Sequence, residues 1–160
     1  MNPNMRENIT IALMLVAIGF LWPFVFFGSC RAETTAIVVD GDTLRQDGVI
    51  YRLAGIDAPE RRQTCADGWP AGVVAADALR ALVLGKRVTC DNRGHDRYGR
   101  TIAMCAVDSV DIGYTLTRSG LAWAYRQYSP AYVDAERLAI ADRAGVHGHQ
   151  CVPAWEWRKQ

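Results

Sequence analysis

The stretch Asp40-Gly41-Asp42-Thr43, followed by Arg52-Leu53-Ala54-Gly55-Ile56-Asp57-Ala58-Pro59-Glu60, decides how this chain is read. It gathers four carboxylates and one arginine within 21 residues, around turn-forming residues. Asp and Glu are seldom buried without a partner, so carboxylates crowded at one turn repel each other unless a cation or solvent relieves them. A hard metal ion is the simplest relief.

Residues 36–39, 43–45 and 49–54 read as three short strands separated by Asp-Gly signals at Asp40-Gly41 and Asp47-Gly48. An up-down-up meander brings the ends of the first and third strands to one edge, so Asp40 and Asp42 approach Asp57 and Glu60. Ala58-Pro59 ends the third strand, because proline cannot donate to a ladder. Residues 71–84 carry Ala75, Leu79, Leu82 and Val83 at helical spacing, and Gly85 stops that helix. Residues 87–91 and 100–106 read as two more strands joined by a polar loop, 92–99. Asp111 is the expected N-cap of a second helix stopped by Gly120, and Ser129-Pro130 opens a third that runs to about residue 144. Five strands and three helices predict an α+β, mainly β fold, a small partly open barrel of the oligonucleotide-binding (OB) kind.

The first 32 residues differ in kind from the rest. Residues 9–28 are almost unbroken apolar sequence, preceded by Arg6 and followed by Ser29, Cys30, Arg31 and Ala32. The pattern fits a signal peptide cleaved before Glu33. Its alternatives are a retained N-terminal membrane anchor, since the run is long enough to span a bilayer, and a lipoprotein signal with Cys30 lipidated. Each sends the remainder out of the cytosol, secreted or periplasmic, with membrane contact only if the segment is retained or Cys30 carries a lipid. Residues 33–160 suit one domain with one core, expected as a monomer. Without Arg6, Arg31 and Glu7, the 18 basic and 17 acidic residues of the chain become 16 of each. Neutrality gives no sign of a general polyanion-binding field, so nucleic-acid affinity has to come from local clusters such as Arg61, Arg62, Arg93 and Arg97.

Cys65, Cys90, Cys105 and Cys151 remain once Cys30 is set aside, an even number in an oxidising compartment. The strand reading pairs Cys90 with Cys105 across a hairpin and leaves Cys65 with Cys151; buried free thiols are the alternative.

Asp42 and Asp57 offer the oxygen ligands Ca2+ prefers, and a site with few protein carboxylates keeps positions for water and a substrate oxygen. Glu60 can serve as general base, and Arg52 and Arg100 can present planar forks to a phosphate. Metal, base and two guanidinium groups together describe phosphodiester hydrolysis.

Asp40-Gly41-Asp42-Thr43, Arg52 through Glu60, and Asp96-Arg97-Tyr98-Gly99-Arg100 resemble the three motifs of the thermonuclease family, the staphylococcal-nuclease-like domains, over about residues 36–146. The three occur in the family's order and at compatible spacings, which makes the combination specific. The resemblance implies a five-stranded barrel with three helices and Ca2+-dependent cleavage of DNA and RNA to 3′-phosphate products. It also implies metal carboxylates at Asp42 and Asp57, a carboxylate acting on the metal through water at Asp40, a water-activating Glu60, and phosphate-binding Arg52 and Arg100. Ala58 stands where the family pattern has a threonine that ligates through its carbonyl, a role any residue fills. Tyr125 lies near the place of a substrate-contacting tyrosine, but Gln127 stands where a second is expected, with Tyr128 one residue on.

Blander readings compete at several positions. Arg52 alone is a strand arginine that pairs with Asp57, and Arg100 alone caps the Asp96 loop. Thr43 and Tyr98 read as structural. The triplet His147, His149 and Cys151 is a weak Zn2+ or Cu2+ signal, because structural zinc wants four ligands. Trp155 and Trp157 read as an aromatic pair on one face of an extended segment that closes a core edge, with base stacking as the alternative. A non-catalytic barrel that binds single-stranded nucleic acid or another partner is the alternative function.

Overall fold

The computed structural model describes residues 35–160. The leader at 1–32, with its cleavage, anchor and lipid alternatives, lies outside the described residues. Among the described residues no helix is long and apolar enough to cross a membrane.

The meander forms as β1 (Ile37–Asp40), β2 (Thr43–Gln46) and β3 (Val49–Leu53), paired antiparallel in sequence order. Asp47 and Gly48, the two residues between β2 and β3, both have positive φ, 53° and 81°. That is the backbone a two-residue hairpin turn needs to match strand twist, and Asp-Gly adopts it at little cost. Between β1 and β2 the register slips between Val38 and Asp40, and Gly41 and Asp42 form the turn between the paired Asp40 and Thr43. Gly41 packs so closely that a Cβ there would lie 2.9 Å from the Ala58 Cβ and 3.1 Å from that of Ala75. The first turn is thereby pressed onto the segment after Asp57.

β5 (Thr89–His95) and β6 (Thr101–Val107) form an antiparallel hairpin, and β6 also pairs parallel with β3, Arg52 facing Ile102. The sheet order is β1-β2-β3-β6-β5, with β7 (Val110–Asp111) on β6; β4 (Ile56–Asp57) and β8 (Trp123–Ala124) make a separate two-stranded ladder. The edges β1 and β5 do not pair, so the sheet is mixed and open, consistent with the expected OB-like fold. The strand count exceeds five because β4, β7 and β8 have two residues each, too few to carry a period. The loop expected at 92–99 is shorter, since β5 continues to His95 past a register slip between Asn92 and Gly94.

Helix α1 (Ala71–Val83) buries Ala75, Leu79 and Val83 in a core with Leu44, Leu53, Ile56, Ala103, Ile112 and Leu116. Each Leu or Ile buried there stabilises by about 1.5–3 kcal/mol. The N-cap of α2 (Ile112–Arg118) is Asp111, whose carboxylate accepts from Tyr114 N at 2.8 Å. Tyr132 Oη donates to the same carboxylate at 3.0 Å. Helix α3 (Val133–Ala141) starts later than expected because Pro130 lies in a turn, its carbonyl accepting from Val133 N at 3.2 Å. A 3-10 turn (Gly145–His147) follows. Trp155 and Trp157 correct the expectation of an extended segment: Pro153 caps a short helix, α4 (Ala154–Trp157), and its carbonyl accepts from Trp157 N at 3.0 Å. The chain therefore has four α-helices among the described residues.

Both disulfides pair as expected, Cys90 with Cys105 and Cys65 with Cys151. The first staples β5 to β6, whose Cα register already places the two cysteines opposite each other. The second pins the C-terminal residues to the loop after β4. There Cys65, Ala71, Trp123, Val146 and Ala154 form a small second core. His149, beside this bridge, has its Nδ1 2.7 Å from Asp67 Oδ2 and its ring stacked on Trp69 at 4.3 Å.

Candidate active site

Asp42 leaves the first turn, Arg52 stands near the end of β3, and Asp57 ends β4. Arg52 Nη2 lies 2.9 Å from Asp42 Oδ2 and 2.8 Å from Asp57 Oδ1, while its Nη1 donates to the carbonyls of Leu53 and Ile56, both at 3.0 Å. One arginine thus locks the turn after β3 and holds two carboxylates together. Asp42 is fixed further by Ala58 N at 2.9 Å and by the Thr43 hydroxyl at 3.0 Å, the structural role expected of Thr43. Asp57 is 0 % exposed. Burial pushes its carboxyl above the ordinary value of 3.8, against the opposing pull of Arg158 and Arg52.

Glu60 sits on a turn closed by Gln63 N donating to the Glu60 carbonyl at 2.7 Å. The buried Gln63 side chain accepts from Glu60 N at 3.1 Å and donates to Val152 O at 2.8 Å, so it ties this turn to the C-terminal segment. Gly72, in the first turn of α1, rests on the same place: a Cβ there would overlap the Glu60 carbonyl. From the C-terminal side Arg158 reaches in, Nη2 2.7 Å from Asp57 Oδ2 and Nη1 2.6 Å from Glu60 Oε1. Nothing in the motif spacing marked Arg158 or Gln63. The available signal was the Cys65–Cys151 pairing, which brings the last residues close to Glu60.

Asp40 belongs to the same field. Burial raises its carboxyl above the ordinary range, and the charges of Asp42 and Glu60 add to the effect. Arg100 is engaged elsewhere: its Nε lies 2.7 Å from Asp96 Oδ2 and its backbone N donates to Asp96 Oδ1 at 3.0 Å. Despite some desolvation, those hydrogen bonds hold Asp96 below the ordinary carboxylate range. Among the hydrogen bonds and ion pairs of the described residues, Arg100 makes none to the four carboxylates. It precedes β6, one strand over from Arg52.

A cleft of about 760 Å³ shares Arg158 with the carboxylate cluster, while Asp40, Asp42, Asp57 and Glu60 are not among its lining residues. Arg158, Arg126, Arg97 and Lys159 line it together with Trp123, Tyr125 and Trp155. Tyr125 stacks on Trp155 with ring planes 4° apart and also meets Tyr128 edge-on at 4.8 Å. The place expected for a substrate-contacting tyrosine is therefore filled by an aromatic group built partly from the C-terminal helix.

The donor chemistry fits a hard cation held by few protein ligands. Asp42 and Asp57 turn oxygens to the same guanidinium nitrogen, which places two carboxylate groups within reach of one cation. Among the described residues no cluster of three or more His, Cys, Asp or Glu groups is arranged to hold a metal, so such an ion would draw its remaining ligands from backbone, water or substrate oxygen.

Asp42, Asp57 and Glu60 with Arg52 and Arg158 are thus gathered where the β1–β2 turn, the end of β3 and the segment after β4 meet on an open OB-like sheet. The sequence profile described as staphylococcal nuclease homologue matches residues 51–146. The chain belongs to that family. It is similar to an uncharacterized endonuclease of Haemophilus influenzae, 34% identical over 97% of this chain and 86% of that protein. It is 32% identical to an uncharacterized endonuclease of Escherichia coli over 96% of this chain and 98% of that protein. A probable staphylococcal-like nuclease of Oryza sativa is 33% identical over 68% of this chain, which is 32% of the plant protein. These relatives support a nuclease hydrolase with a nucleic-acid substrate.

Proposed function

We propose that this chain is a Ca2+-dependent nuclease that hydrolyses phosphodiester bonds of DNA and/or RNA outside the cytosol. The observation that carries the reading is the convergence of Asp42, Asp57 and Glu60 on two guanidinium groups, those of Arg52 and Arg158. Asp42 and Asp57 would hold the ion, with Asp40 acting through water. When bound, Ca2+ supplies charge neutralisation and Lewis-acid polarisation of the phosphate. Glu60 takes the proton of the attacking water. Arg100, once released from Asp96, and Arg52 offer hydrogen-bond donors to the phosphate oxygens, where negative charge accumulates in the transition state. Two disulfides support a location in an oxidising compartment.

The test uses the purified full chain on single-stranded DNA with Ca2+ and with chelator. Cleavage is expected only with the ion, and Glu60→Gln or Arg100→Ala is expected to lose at least about 10²-fold in kcat. Undiminished activity in both variants refutes the mechanism. The non-catalytic alternative draws on one observation, that both terminal nitrogens of Arg52 are engaged by internal partners. Retained strand binding without hydrolysis across several divalent ions would establish it.

A further inference from the structure

Arg158 lies beyond the family match at 51–146, yet it makes the closest contacts to the candidate base and the buried carboxylate. Its guanidinium spans both: Nη1 donates to Glu60 Oε1 at 2.6 Å and Nη2 to Asp57 Oδ2 at 2.7 Å, with a longer contact from Nη1 to Asp57 Oδ1 at 3.3 Å. The other polar contact of Asp57 comes from Arg52 on Oδ1. Among the described residues Asp57 Oδ2 is thus met by Arg158 alone. A divalent ion needs carboxylate oxygens at about 2.3–2.6 Å, which the guanidinium does not allow while it covers Asp57 Oδ2 and Glu60 together.

The contact is built into the fold. Residues 151–158 are anchored by the Cys65–Cys151 disulfide and by Gln63 Nε2 donating to Val152 O at 2.8 Å. Trp155, on the same short helix, stacks on Tyr125 and meets Trp123 edge-on at 6.1 Å. The Arg158 side chain itself is 40% exposed and borders the cleft, so one side of the guanidinium faces open space. Burial works against the Arg158 cation, but the bonds to Asp57 and Glu60 outweigh it and push its pKa up.

We propose that Arg158 is a resident counter-ion which a divalent cation must displace from Asp57 and Glu60, so that the C-terminal segment sets the cation affinity of the site. This rests on the cation-dependent reading of the site but not on hydrolysis. With the guanidinium in place, the crowded carboxylates are neutralised and Glu60 is covered; with the ion in place, Glu60 is uncovered. The closed form dilutes the binding-competent form and weakens the apparent affinity by the same factor.

Calorimetric titration of the full chain with Ca2+ at low ionic strength tests this. Arg158→Gln and Arg158→Ala are expected to bind Ca2+ about tenfold more tightly than the parent, as when a closed form populated about nine times in ten is removed. Arg158→Lys, which cannot span both carboxylates, is expected between them. Gln63→Ala, which loosens the segment without touching Asp57, should shift affinity in the same direction. Unchanged or weaker Ca2+ binding in the folded Gln and Ala variants overturns the inference, as does no binding in any of the proteins. A fall in cleavage at saturating Ca2+ with unchanged affinity also overturns it, by placing Arg158 on the substrate instead. Tightening without cleavage in any of the proteins sustains the counter-ion role and refutes the nuclease reading.

Discussion

Removing the Cys65–Cys151 disulfide is expected to cost more stability than removing Cys90–Cys105, and the excess follows from loop length. The two bridges close loops with sequence separations of 86 and 15 residues. Chain-entropy arithmetic gives about 4.6 kcal/mol for the longer loop and about 3 kcal/mol for the shorter one. The difference, about 1.5 kcal/mol, depends only on the ratio of the two lengths. Packing losses nearly cancel in the comparison, because each bridge has one buried sulphur, Cys65 at 5 % and Cys105 at 3 %, and one half-buried partner. The assay is guanidinium unfolding of the Cys65→Ala/Cys151→Ala and Cys90→Ala/Cys105→Ala double variants beside the parent chain. Equal losses, or a larger loss for the Cys90–Cys105 variant, would refute the view that these bridges act by restricting the unfolded chain.

Gly72→Ala places a methyl group on the Glu60 carbonyl, so the α1 start or the Glu60 turn has to move; a loss of about 1–3 kcal/mol is expected in thermal unfolding, with reduced cleavage even where the domain stays folded. Glu136, 5 % exposed, accepts from Ala124 N at 3.0 Å, and Glu136→Ala should cost about 1–3 kcal/mol by leaving that buried N–H unpaired. Carboxyl-carbon NMR of the cation-free chain should find Asp57 titrating above 3.8 and Asp96 below it. The linked stabilities then run oppositely. The contribution of Asp57 is present below its unfolded pKa and lost as pH rises through its raised folded value, while that of Asp96 is present above its unfolded pKa and lost as pH falls through its lowered one. The reverse order of titration would show that the Asp57 ion pairs outweigh its burial.

What the sequence revealed was local in origin. Asp47-Gly48 announces its hairpin because the two residues alone set the turn, and Asp111 announces α2 because a cap needs only the next few backbone N–H groups. The meeting of Asp42 with Asp57 was legible one level up, since a meander of that length has one geometry. The parallel pairing of β3 with β6 left no trace, as parallel neighbours share no turn. Helix α4 was missed because alternating tryptophans suggested period two, whereas Pro153 and a four-residue span decided otherwise. Arg100 had a motif and Arg158 had none, yet Arg158 is the one in contact with the carboxylates. Its placement is a tertiary consequence of Cys151, Gln63 and Trp155, which no spacing rule encodes.

The anchoring of Arg158 also imposes a schedule on folding. The bonds of the site span very different stretches of chain: Arg52 to Asp57 closes over 5 residues, Ala58 to Asp42 over 16, Gln63 to Val152 over 89 and Arg158 to Asp57 over 101. Short closures form first, because long ones cost more chain entropy before they gain a contact. The carboxylates are therefore gathered early and lack their last countercharge until the C-terminal segment docks. Until then Arg52 is the guanidinium on Asp57, so the divalent ion proposed for the site would compete with one arginine rather than with two.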